Sequence, residues 1–118
     1  MTLFAVMIGG ALGSGLRYGA SIWLNPSLRD GVPWGTLGVN LIGCLLIGWI
    51  SGLMVEGSEI LRLGIVVGFL GGFTTFSSFG LEAIRLFQAG HINAAALYIL
   101  LSNAGGMLGA WLGYRLGQ

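Results

Sequence analysis

Gly68-Phe69-Leu70-Gly71-Gly72-Phe73-Thr74-Thr75-Phe76-Ser77-Ser78-Phe79 interrupts a chain that is otherwise a series of apolar runs. The charge-free segment around it extends from Leu63 to Leu81, with Gly72 at its midpoint. A helix crossing a bilayer here places the glycine pair and the two threonines near the centre of the hydrocarbon. Glycine weakens a helix, and Thr and Ser hydroxyls take up the backbone groups so released. Non-helical backbone at that depth survives only where protein buries it or where it faces a wet cavity. The stretch therefore predicts a third membrane helix broken near the bilayer centre, and it marks the place to look for function.

The surrounding composition requires a membrane. Of 118 residues, 55% are hydrophobic and 8% charged, and the mean hydropathy is +0.89. A soluble domain of this size has no interior large enough for that surface. A spanning helix takes about 20 residues, so four spans with short connections use nearly the whole chain. The expected spans are about 3–24, 34–55, 62–87 and 92–114 of one all-α transmembrane domain, 1–118, with no separate soluble domain. The 23 glycines punctuate apolar runs and so read as helix-packing surface, not as disorder. The N-terminal run lacks a basic leader and is long, which predicts a retained helix rather than a cleaved signal.

Charge and cysteine usage exclude several classes. The net charge of +1, with five arginines and no lysine, leaves no basic patch for nucleic acid. Cys44 stands alone in an apolar run and behaves as a small hydrophobe. One Cys, one His and four carboxylates at the ends of spans assemble neither a nucleophile with its base nor a metal cluster, so an enzyme is not expected. His91, in the turn after Gly90, reads as solvated.

Polar residues inside the spans carry the rest. In the first, Gly9-x-x-x-Gly13 and Gly15-x-x-x-Gly19 allow another backbone to come close. Arg17 has two readings that stay open here, an intramembrane functional charge or a side chain that snorkels to the interface. Asn25-Pro26 ends this helix, and residues 27–33, with Arg29 and Asp30, form a polar connection. The second span is charge-free with one amide, Asn40, which is either interhelical glue or a donor facing an ion path. After the break, Phe76, Phe79 and Glu82 recur every three residues along one helical face, flanked by Thr75 and Ser78. Such an aromatic pair is ordinarily packing, and Glu82 with Arg85 three residues on reads as a pair at the helix end. Tyr98 and Ser102 share a face of the fourth span, followed by Asn103. Gly105, Gly109, Gly113 and Gly117 then form a close-contact stripe for another helix. Trp111 and Tyr114 form an interfacial belt, and Arg115 closes the span.

Four spans put Arg62 and Arg115 on one side and Arg29 and Arg85 on the other. Two against two gives no orientation bias unless Arg17 tips it slightly, which predicts insertion both ways. Oppositely inserted copies form an antiparallel dimer, an inverted repeat made from two chains.

Two transport readings follow. A proton-coupled exporter of the four-helix small multidrug kind needs an intramembrane acid, usually in the first span, and the first span here has none. A passive ion path lined by hydroxyls, amides and aromatic edges needs only what is present. A scaffold protein would need no polar residues on inner faces. Gly-Gly-Phe-Thr-Thr-Phe-Ser-Ser-Phe, together with Gly-Gly-x-x-Gly-x-x-x-Arg-Tyr in the first span and Gly-Thr-Leu-x-Val-Asn-x-x-Gly in the second, resembles the Fluc (CrcB) fluoride channel family over all four spans. Ser78 stands where that family usually has Thr, and the hydroxyl is kept. The resemblance implies a dual-topology antiparallel homodimer in the bacterial inner membrane, with two fluoride pores. It places Asn40, Thr75, Phe76, Ser77, Ser78, Phe79, Tyr98 and Ser102 on the ion path. It also implies a central structural Na⁺ on the backbone carbonyls of Gly71 and Thr74, two from each subunit, and leaves the roles of Arg17 and Glu82 open. The implied physiology is the exit of fluoride that entered acidified cells as neutral HF.

Overall fold

The computed structural model describes residues 1–24, 31–53 and 56–118. Four helices in it are long and apolar enough to cross a membrane: Thr2–Leu24, Trp34–Leu53, Glu59–Gln88 and Ile92–Gly117. They are called the first to fourth spans below. The third starts three residues earlier than expected and the fourth ends three residues later. The Asn25-Pro26 stop, the connection as far as Asp30 and the expected end of the second span at Val55 lie outside the described residues.

Local chemistry sets the ends of the third span. Ser58 is its N-cap and accepts a hydrogen bond from the Leu61 N–H at 3.4 Å. At the other end Gly90 takes φ +84°, a left-handed conformation that favours glycine. Its N–H donates to the Phe87 carbonyl while the His91 N–H reaches back to that of Leu86 at 2.9 Å, the paired closure of a Schellman end. The fourth span starts two residues later.

The spans pack as two pairs held by missing side chains. The first lies on the leading part of the third, where a Cβ on Gly13 would strike the Phe69 carbonyl and sit 2.8 Å from the Phe73 nitrogen. The second lies on the fourth, where a Cβ on Gly113 would strike the Leu45 carbonyl and sit 2.8 Å from the Trp49 nitrogen. Backbones in direct contact supply dispersion and leave no void, which is what joins helices when lipid removes the hydrophobic drive. The expected stripe of the fourth span thus has its partner within the same subunit. By contrast, Gly15 and Gly19 of the first span meet nothing within 4 Å among the described residues of the subunit.

The third span is not one regular helix. Glu59–Leu63 is α-helical, Gly64–Leu70 widens into a π-helix, and Gly71–Phe73 returns to α. Thr74 is extended, at φ −85° and ψ 159°, and regular winding resumes at Ser77–Gln88. The interruption falls on Thr74 to Phe76, within the Gly68–Phe79 stretch, and the glycine pair itself stays helical. Gly72 stays helical and packs on the first span, where a Cβ would lie 2.6 Å from the Gly10 carbonyl oxygen. Behind the interruption Phe79, Ala83 and Leu86 pack with Leu37, Ala95 and Tyr98 into the buried core.

These contacts give a paired expectation. Gly113→Ala should overpack a backbone contact and destabilise the folded protein by about 1–3 kcal/mol, whereas Gly19→Ala, which meets nothing within 4 Å among the described residues of the subunit, should not destabilise it. Thermal unfolding of the two purified variants in one detergent checks it.

Candidate functional site

The site is built where the third span loses its own hydrogen bonds and other residues replace them. In a continuous helix the Thr75 N–H would return to the Gly71 carbonyl. Here it donates to Asn40 Oδ1 at 2.8 Å, and Asn40 Nδ2 donates to the Thr75 carbonyl at 2.9 Å. One amide side chain therefore satisfies both backbone groups of Thr75. The Gly72 carbonyl accepts from Arg17 Nε at 3.1 Å. The Ser78 N–H, which would return to Thr74, donates to Thr75 Oγ1 at 3.2 Å, and Thr74 Oγ1 donates to the Leu70 carbonyl at 2.9 Å. The carbonyls of Gly71 and Thr74 thus lose their helical donors to the Asn40 and Thr75 side chains.

Two cavities meet at this interruption, and Thr75 lines both. The larger, about 460 Å³, is bordered by Asn40, Thr74, Thr75, Phe76 and Ser102, with Gly71, Phe79 and Asn103 also in its wall. Among the described residues no charged side chain lines it. The smaller, about 300 Å³, is bordered by Arg17, Thr36, Ser78, Glu82 and Arg85.

The structure separates residues that the sequence placed together. Phe76 is 80% exposed, while Phe79 is 8% exposed and belongs to the core. Their ring centroids are 5.6 Å apart, and Phe79 lies 5.1 Å from Tyr98. Both rings border the larger cavity, Phe76 at its open side. Ser77 is exposed and borders neither cavity, its Oγ lying 3.5 Å from Thr75 Oγ1. Tyr98 is fully buried and also borders neither. The expected helix-end pair of Glu82 with Arg85 is not made. Glu82 Oε1 instead accepts from the Thr36 hydroxyl at 2.8 Å, because the second span brings Thr36 closer than the exposed Arg85. Three buried oxygens, Glu82 Oε2, the Tyr98 hydroxyl and Ser102 Oγ, have no hydrogen-bond partner among the described residues. Of these three residues, Ser102 borders the larger cavity, while Tyr98 and Glu82 do not. Arg17 does not snorkel alone, since its Nε is engaged by Gly72.

Thr36 was missed by sequence reasoning. It sits four residues before Asn40, hence on the same face of the second span, and that spacing was the available signal. The direct engagement of the Gly72 carbonyl by Arg17 has no local signal, because the two residues are 55 positions apart.

Asn40→Leu should leave the Thr75 N–H and carbonyl without partners, at about 1–3 kcal/mol for each buried group. The expected outcome is a clear drop in thermal stability, measured by denaturation in detergent.

A family model described as CrcB-like protein, Camphor Resistance, matches residues 4–114. A protein of Thermus thermophilus named fluoride-specific ion channel FluC is 52% identical over 114 residues, which cover 95% of this chain and 90% of that protein. Proteins of the same name from Pseudomonas fluorescens and Azotobacter vinelandii are 43% and 44% identical. The first of these alignments covers 97% of this chain and 94% of the relative, the second 95% and 93%.

Proposed function

The chain belongs to the CrcB-like family of multi-pass membrane proteins, and from that premise we propose that it is a fluoride-selective passive channel, working as an antiparallel dual-topology homodimer with two pores. The observation that carries the proposal is the uncharged cavity beside the interrupted third span, walled by hydroxyls, two amides and aromatic rings. Fluoride holds its water strongly, so hydrogen-bond donors must replace that water in the pore. Asn40 has one N–H left after Thr75, and the hydroxyl of Ser102 has no partner among the described residues. The positive edge of Phe76 adds attraction without the deep well of a full cation, and conduction requires binding weak enough to release the ion. Tyr98, Ser77 and Ser78 join this path only where water or the second subunit extends it. The proton-coupled exporter is not favoured by the family.

In this reading the third span is broken near the bilayer centre, and the dimer axis passes beside the break. The carbonyls of Gly71 and Thr74 fit a structural Na⁺ there, since both residues border the cavity and both lose their helical donors. A bound monovalent cation supplies positive charge that offsets carbonyl dipoles turned toward it. The channel would reside in the bacterial inner membrane and let fluoride leave the cytoplasm.

Fluoride efflux from liposomes holding the purified protein should greatly exceed chloride efflux under the same gradient. Phe76→Ile should cut fluoride flux per folded dimer sharply while dimer yield holds, because Phe76 is exposed in the subunit. Phe79→Ile should lower stability as well, because Phe79 is core. Full flux in Phe76→Ile would remove the ring edge from the mechanism.

The dimer carries its own expectation. A C-terminal tag probed from each side of intact vesicles should be found on both sides, and a single orientation would overturn the antiparallel arrangement.

A further inference from the structure

Asn103 is a polar side chain that the interrupted helix does not explain. It lies near the middle of Ile92–Gly117, is exposed in the subunit, and borders the larger cavity next to Ser102. Its surroundings along the fourth span are apolar: Leu100 and Met107 are exposed on the turns before and after it. An amide at membrane depth facing lipid alone is costly, so this position calls for water, an ion or a polar partner.

Its orientation is fixed. Asn103 Nδ2 donates to the Ile99 carbonyl, one turn earlier, at 2.8 Å. A side-chain amide has two N–H donors, so one N–H and the Oδ1 acceptor remain. Holding one N–H on the backbone also removes rotamer freedom that binding would otherwise have to remove. Asn40, across the same cavity, is left in the same state, with one N–H engaged by the Thr75 carbonyl and one remaining.

We propose that Asn103 is a specificity-determining residue of the ion path, donating its remaining N–H to the dehydrating anion as it passes between Ser102 and the exposed ring of Phe76. The proposal rests on the fluoride-channel reading. An N–H held on a neutral amide suits a small, hard anion, because it replaces one water of the hydration shell without adding charge that would trap the ion. The acceptor Oδ1 beside it disfavours any approach except along the N–H, so the residue discriminates by geometry.

Two variants of the full-length protein, reconstituted in liposomes, test this. Asn103→Leu keeps the volume and removes the donor. Asn103→Asp keeps the shape and presents acceptors only. Fluoride efflux per folded dimer should fall about tenfold in Asn103→Leu, the worth of one hydrogen bond to a charged group, and further in Asn103→Asp. The fluoride-to-chloride flux ratio should fall in Asn103→Leu, a change that lost packing would not produce. Dimer yield by size-exclusion chromatography should match wild type in both. Wild-type flux and ratio in Asn103→Leu would overturn the role of Asn103 alone. Loss of the dimer with unchanged flux in the remaining dimers would also overturn it, by making the amide an interhelical contact. A wild-type protein that passes no fluoride would instead overturn the channel reading beneath it.

Discussion

The two hydrogen bonds between Asn40 and the backbone of Thr75 are the constraint on which the site depends. A transmembrane helix cannot open its ladder in hydrocarbon unless each released group finds another partner, since each orphan costs several kcal/mol. Asn40 provides for one residue what the helix would have provided, an acceptor at 2.8 Å and a donor at 2.9 Å. Arg17 and the hydroxyl of Thr75 satisfy the neighbouring groups. Three substitutes from two other elements and from the break itself hold Thr74 extended. The carbonyls of Gly71 and Thr74 gain no such substitute, and both residues border the larger cavity.

That exchange requires the spans to approach closely and at fixed depth. The glycines supply this. Gly13 brings the first span onto Phe69 and Phe73, one residue ahead of the interruption, and the same span carries Arg17 one turn further on. Gly113 locks the fourth span to the second, and Ser102 and Asn103 border the same cavity as Asn40. Side-chain size at a packing seam thereby sets the position of polar atoms further along the same helices. The π-helical Gly64–Leu70 belongs to the same adjustment: it lies against the first span, in a widened winding of the kind common near functional sites.

Much of this was legible from residue order. The four apolar runs announced the spans, because burial in lipid demands length and apolarity that nothing else demands. The Thr-Thr after the glycine pair announced trouble in the third span, and Asn40 stood out as the one amide in a charge-free helix. Within that stretch the interruption falls after the glycine pair, since glycine in a membrane serves close packing as readily as it serves bending, and Gly72 serves the former. Which face each aromatic presents was not legible either. Phe76 and Phe79 share a three-residue spacing, but Phe76 precedes the regular helix and turns outward while Phe79 enters the core. Glu82 read as a partner of its local arginine, and the tertiary partner Thr36 won because a hydroxyl at 2.8 Å across a buried seam outweighs an exposed charge one turn away.

The two cavities separate kinds of electrostatics that a selective anion path needs in different places. Arg17, Glu82 and Arg85 stand around the smaller cavity, and the larger one has only neutral groups among the described residues. Full charges attract an ion from a distance but bind it too deeply for rapid release, while hydroxyls, amides and ring edges do the reverse. Thr75, whose backbone Asn40 holds, borders both. In the proposed channel an ion would exchange charge-based attraction for neutral donors at that residue. The interrupted helix draws its substitutes from Arg17 on the first span and Asn40 on the second, and in the proposed channel these two would stand where attraction gives way to passage.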